Sequence, residues 1–139
     1  MRNGASDTAK DDTNDEIYGE NGWEVPVREL LYSAAEHYQL GKALDEQGNW
    51  RGALNAYSDA LRDLHAVKPQ RMRNALLAQV YLSRYQVAKQ LRMSRADSDL
   101  RLGYSYARTT REPAVRELAE TLWKAHLDER DTRERAEFR

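Results

Sequence analysis

The stretch AAEHYQLGKALDEQGNWRGALNAYSDALRDLHAV, residues 34–67, decides the fold of this 139-residue chain. Apolar side chains recur at spacings of three and four on both sides of Gly48, as in two helices that each bury one stripe. Gly48 is the residue type favoured where a helix ends in a left-handed conformation, and Asn49 behind it is a favoured N-cap. The stretch therefore predicts two helices, over about 26–47 and 50–66, joined by a tight turn.

Small residues occupy one side of each of these helices. Gly41, Ala53 and Ala60 are small enough for two helices to approach closely. We expect the larger side chains of Leu40 and Tyr57 to fill the space that remains between them. The pattern predicts an antiparallel hairpin whose two helices are in close contact.

This hairpin resembles a tetratricopeptide repeat, which is a pair of antiparallel helices about 34 residues long. The residues that match the small, leucine and aromatic positions of the repeat are Leu40, Gly41, Ala53, Tyr57 and Ala60. The chain departs from the repeat at His37, Leu44 and His65, where an aromatic residue, a tyrosine and a proline are more common. The resemblance implies a stack of helix hairpins that binds other proteins.

Three more helices are predicted downstream, over about 69–92, 95–108 and 110–127. Ser94 and Thr110 are expected to be the N-caps of the last two. A second, looser repeat would use Leu77, Ala78, Tyr81, Ala96, Leu100 and Gly103. The fold class expected is all-α, with about five helices stacked as a short tetratricopeptide-like solenoid and the last helix as a cap. Because such arrays usually need about three units for stability, a homodimer is one expected assembly.

Polarity and charge divide the chain into three parts. Residues 1–22 are polar and acidic, and we predict a disordered tail because they cannot bury enough apolar area to offset the entropy of ordering. Residues 23–127 form the predicted helical domain. Residues 128–139, DERDTRERAEFR, are charged on all sides and predict a helical extension that either frays or projects into solvent.

Composition excludes several classes of protein. The chain has no cysteine, which excludes disulfide scaffolds, thiolate zinc sites and cysteine nucleophiles. The N-terminus lacks the apolar core of a signal peptide, and no apolar run approaches the ~18 residues of a membrane helix. We therefore expect a cytoplasmic protein with no membrane contact.

The resemblance implies a binding groove lined by the first helix of each repeat. Carried over to this chain, the groove residues are Tyr38, Lys42, Asp45, Gln79, Ser83 and Gln86, and the ligand is a partner protein or peptide. The same positions are also compatible with an ordinary solvated helix face. Proteins of this family that clamp a carboxylate use a lysine and an asparagine where this chain has Tyr38 and Lys42, so that mode of binding is not expected.

A basic stretch permits a different function. Residues 68–111 carry ten basic and two acidic residues, and a phosphate-binding surface would use Arg84, Lys89, Arg92 and Arg95. The tyrosines nearby mostly follow the core spacing, and the arginines spread over several helix faces. Association with nucleic acid is therefore the alternative, and it is less favoured than protein binding.

Catalysis is the function that the residues support least. His37, His65 and His126 lack the spacing of a metal-binding pair, and no glycine-rich loop precedes a helix to bind phosphate. We expect no enzyme activity, no cofactor and no metal.

Overall fold

The computed structural model describes residues 16–18 and 24–138, with side chains from residue 26 onwards. Most of these residues lie in five α-helices. The all-α expectation is confirmed at this level. The elements in chain order are β1 (Glu16–Tyr18), β2 (Glu24–Pro26), α1 (Val27–Glu46), α2 (Trp50–His65), α3 (Arg71–Gln90), α4 (Ala96–Ala107) and α5 (Pro113–Glu137). They divide between two compact units, Met1–Arg73 and Asn74–Arg139.

Two short strands precede the helices. β1 and β2 pair in antiparallel fashion, with Ile17 opposite Val25. Within the predicted tail over 1–22, Glu16–Tyr18 forms a strand whose backbone groups bond to the strand that leads into α1. Pro26 has no N–H group, and it lies at the last residue of its strand, where proline is tolerated. The rest of the predicted tail lies outside the described residues.

The turn between α1 and α2 has the predicted chemistry. Gly48 has φ +80°, and the amides of Gly48 and Asn49 donate to the carbonyls of Asp45 at 2.9 Å and Leu44 at 2.8 Å. These two bonds form a Schellman motif, which satisfies carbonyls that the end of the helix leaves open. The side-chain oxygen of Asn49 then accepts from Gly52 N–H at 3.0 Å and caps α2.

The close approach of α1 and α2 occurs at Gly41. A Cβ atom placed there would lie 2.4 Å from the ring of Tyr57, which is fully buried. The expectation that Leu40 also fills this interface is wrong, because 51% of Leu40 is exposed. Successive helical residues are about 100° apart, so Leu40 points away from the face that Gly41 presents to α2. Tyr57 therefore fills the interface without Leu40.

The second unit holds three successive antiparallel helices. A Cβ atom on Gly103 of α4 would lie 2.7 Å from the side chain of Leu82 on α3, so a glycine again permits the close approach. Tyr81 and Tyr106 stack across the same pair of helices, with ring centroids 6.0 Å apart. All six residues of the looser predicted repeat are buried: Leu77, Ala78, Tyr81, Ala96, Leu100 and Gly103.

The α3–α4 connection differs from its predicted form. α3 ends in a second Schellman motif, in which Arg92 has φ 56° and Met93 N–H donates to Ala88 O at 2.9 Å. Ser94 is not the N-cap of α4. The helix starts one residue later, with Arg95 in the N-cap position and no side-chain cap bond.

α5 begins later than predicted and continues through most of the predicted helical extension. Thr110 is not its N-cap, because the helix begins at Pro113 with Glu112 in the cap position. The Thr110 hydroxyl, three residues before the first helical residue, instead accepts from Glu112 N–H at 3.2 Å. The helix continues past residue 127 without a break, and residues 128–138 are all exposed. Among the described residues, no helix combines the length and apolarity that crossing a bilayer would require.

Replacing Gly41 with alanine tests the α1–α2 contact. We expect the free energy of unfolding to fall by about 1–3 kcal/mol because the new methyl group overlaps the Tyr57 ring. Alanine is otherwise preferred to glycine inside a helix by about 1 kcal/mol, so destabilisation would oppose the intrinsic propensity. Urea unfolding measures the change. In a Tyr57→Leu background the same substitution should cost much less, and an unchanged cost would contradict the contact.

Replacing Arg92 with glycine tests the end of α3. A non-glycine residue with positive φ is strained, so Arg92→Gly should raise the free energy of unfolding by about 1 kcal/mol. Arg92→Ala is the matched control, because it removes the charge and keeps the Cβ atom. Thermal unfolding should show stabilisation by Arg92→Gly alone; equal stabilisation by both variants would assign the effect to charge.

Candidate partner-binding surfaces

The predicted groove residues of α1 form one linked surface. Tyr38 is half-buried, and its ring centroid lies 5.8 Å from that of Tyr57. Lys42 is exposed one turn later, with Nζ 6.0 Å from the centroid of the Tyr38 ring. Asp45, half-buried, continues this face by almost another turn. An aromatic ring, a cation and a carboxylate therefore lie along one side of α1, supported from beneath by Tyr57.

The predicted groove residues of α3 belong to the second unit. Gln79 is half-buried and Gln86 is exposed. Ser83, between them on the same helix face, is only 5% exposed. Its hydroxyl is thus not presented to solvent, and the α3 face offers fewer polar groups than the sequence pattern indicated.

Arg84, the first of the predicted basic residues, forms a largely buried ion pair. Its Nε and Nη2 donate to the two carboxylate oxygens of Asp99 at 2.9 and 2.8 Å. The exposed fractions of the two side chains are 14% for Arg84 and 2% for Asp99. Two parallel hydrogen bonds of this kind fit the planar guanidinium to a carboxylate. Arg84 therefore joins α3 to α4 and adds little positive charge to the surface.

The other three predicted basic residues lie nearer to solvent. Lys89 donates to Glu129 of α5 at 2.6 Å, and this hydrogen bond raises the pKa of Lys89 above its ordinary value. Arg92 and Arg95 are exposed on either side of the α3–α4 turn. Two of the four predicted basic residues are thus paired with carboxylates, with which a phosphate would have to compete.

A serine, a histidine and an aspartate meet between α1 and α2. Ser33 Oγ donates to Asp63 Oδ2 at 2.6 Å, and His37 Nδ1 lies 3.1 Å from the same oxygen. In a catalytic triad the histidine stands between the serine and the acid. Here the carboxylate stands between the other two, so the arrangement tethers the hairpin rather than activating the serine.

A cleft of about 410 Å³ opens between α4 and α5. Ala107 and Ala119, each 1% exposed, form its floor. The side chains around this floor are Tyr104, Arg108, Arg116 and Glu120. The residues of this cleft are separated along the chain, and only the antiparallel packing of α4 on α5 brings them together. Their spacing in the sequence therefore did not indicate a site.

Aromatic side chains order one wall of this cleft. Tyr104 stacks on Trp123 of α5, with ring centroids 4.9 Å apart. The Tyr104 hydroxyl donates to Glu120 Oε2 at 3.3 Å. The guanidinium carbon of Arg108 lies 5.9 Å from the Tyr104 ring centroid, within cation–π range. The wall is therefore held by stacking, a hydrogen bond and a cation–π contact.

Comparison with known proteins returns no relative. No protein family model matches the chain, and neither a curated protein nor a solved structure is similar to it. The resemblance to the tetratricopeptide repeat thus depends on residues 34–67 themselves. Among the described residues, no three histidine or acidic side chains gather in a way that could hold a metal ion.

Breaking the Arg84–Asp99 pair from one side should be costly. Asp99→Ala leaves a largely buried guanidinium without its carboxylate, and we expect the free energy of unfolding to fall by about 3–5 kcal/mol. The double variant Arg84→Met, Asp99→Leu removes both charges and should recover most of this loss. Urea unfolding measures the free energy of unfolding of both variants. A double variant no more stable than Asp99→Ala would contradict a specific pair.

Proposed function

We propose that this protein is a protein–protein interaction module of the tetratricopeptide type, acting as an adaptor or small chaperone. Its ligand is a peptide or protein partner that contacts the α1 face formed by Tyr38, Lys42 and Asp45. The observation that supports this proposal most directly is the contact of half-buried Tyr38 with exposed Lys42, where the Tyr38 ring rests on the buried Tyr57 ring.

Rigidity is what makes this pair suitable for binding. Tyr57 is fixed against the backbone of α1 because Gly41 has no side chain, and the Tyr38 ring rests on Tyr57. An aromatic residue that is already ordered loses little conformational entropy when a partner covers it. The Lys42 ammonium and the Asp45 carboxylate follow the ring along the same helix face and can pair with charges or backbone groups of the partner.

Nucleic-acid binding is the weaker alternative. It required Arg84, Lys89, Arg92 and Arg95 to act together on phosphate groups. Arg84 and Lys89 already have the carboxylates of Asp99 and Glu129 as partners, and a phosphate would have to compete with these. The two functions also differ in salt dependence, because phosphate binding weakens steeply as salt increases.

A pull-down on immobilised protein from a native lysate, treated with nuclease and eluted in a salt series, tests the proposal. We expect a stoichiometric protein partner that survives nuclease and moderate salt. Tyr38→Ala combined with Lys42→Glu should lower its recovery about tenfold, as expected for loss of a central aromatic contact. Unfolding curves of the variant verify that the hairpin remains folded.

The matched control changes the same residue types elsewhere in the first unit. Tyr32 is 68% exposed and Lys68 is also exposed, so Tyr32→Ala with Lys68→Glu alters aromatic content and charge equally. Recovery should stay close to that of the wild type. Equal loss in both double variants, or recovery that disappears with nuclease, would refute the α1 surface as the binding site.

A further inference from the structure

The cleft between α4 and α5 is a second binding site, and we propose that it takes a carboxylate of an acidic peptide segment from a partner protein. The carboxylate binds between the guanidinium groups of Arg108 and Arg116. This site belongs to the second unit and does not depend on the α1 surface.

Two arginines, Arg108 and Arg116, line this cleft. Among the residues whose side chains the structure describes, no ion pair within 4.0 Å involves Arg108 or Arg116. This contrasts with Arg84 and Lys89 of the same unit, each of which is paired. A guanidinium group presents a planar fork of donors that matches a carboxylate, so the cleft offers two such forks to a ligand.

The remaining lining suits a peptide. Glu120 already accepts the Tyr104 hydroxyl, and it can also accept an N–H group of a bound backbone. Tyr104 is stacked on Trp123, and the guanidinium group of Arg108 lies over its ring. The alanine floor gives room for one side chain to enter, and the volume of about 410 Å³ lies within the range of ligand pockets.

The charge pattern around the cleft favours a peptide over a nucleic acid. A phosphate backbone is a continuous run of negative charge and needs a track of cations. The cleft lining has two cations, Arg108 and Arg116, and one carboxylate, Glu120. Two cations are too few for such a track, whereas a peptide can place one acidic side chain between the arginines and direct its other groups elsewhere.

Fluorescence anisotropy with fluorescein-labelled hexaglutamate tests this site on the full-length protein. We expect wild-type protein to bind hexaglutamate and not hexaglutamine. The double variant Arg108→Ala, Arg116→Ala should weaken binding about tenfold or more, since it removes both charge-assisted contacts to the carboxylate. Tyr38→Ala with Lys42→Glu should leave hexaglutamate binding unchanged, which separates this site from the α1 surface.

The control variant removes the same charge from the same unit. Arg101 and Arg130 are exposed on α4 and α5 and do not line the cleft. Arg101→Ala with Arg130→Ala should retain nearly wild-type binding. Three results would overturn the site: no binding of hexaglutamate up to about 1 mM, equal loss in the two double variants, or tighter binding of an oligothymidylate with the same sensitivity to Arg108 and Arg116.

Discussion

The structure depends on the absence of a side chain where two helices come closest. At Gly41 the ring of Tyr57 occupies the space that a Cβ atom would need, and at Gly103 the side chain of Leu82 does the same in the second unit. Each glycine costs helix propensity, and this cost is offset by the packing of a large, fully buried side chain. The same contact in the first unit extends outward, because Tyr57 supports the Tyr38 ring.

Buried ion pairs and hydrogen bonds also hold neighbouring helices in one alignment. Asp99 lies almost fully inside the second unit and is matched by both donors of Arg84, so neither charge is left without a partner. In the first unit, Asp63 accepts from Ser33 and contacts His37. Such pairs contribute less to stability than apolar packing of equal volume, but they penalise any other alignment of the helices. They also remove charge from the surface.

The two candidate surfaces present different chemistry. On α1, an aromatic ring that rests on the core is followed along the helix by a cation and then a carboxylate. Between α4 and α5, two arginines flank an alanine floor beside a stacked tyrosine. A chain that binds one partner at the first and an acidic segment at the second would connect two proteins, as an adaptor does. Each surface contributes to affinity only if its groups are already ordered, which stacking and hydrogen bonds achieve here.

The sequence by itself determined the helices and the α1–α2 turn, because Gly48, Asn49 and the apolar stripes act through local geometry. It also identified Gly41 and Tyr57 as contact residues, because a small residue on one helix and an aromatic residue on the next are typical of a close helix–helix contact. It misplaced Leu40 and the N-cap at Ser94, whose surroundings depend on helix rotation and on the turn at Arg92. Only the tertiary structure decided the Arg84–Asp99 pair and the arginine cleft. Arg84 and Asp99 are 15 positions apart and Arg108 and Arg116 are 8 apart, so each pair comes together only when the helices that carry the two residues pack.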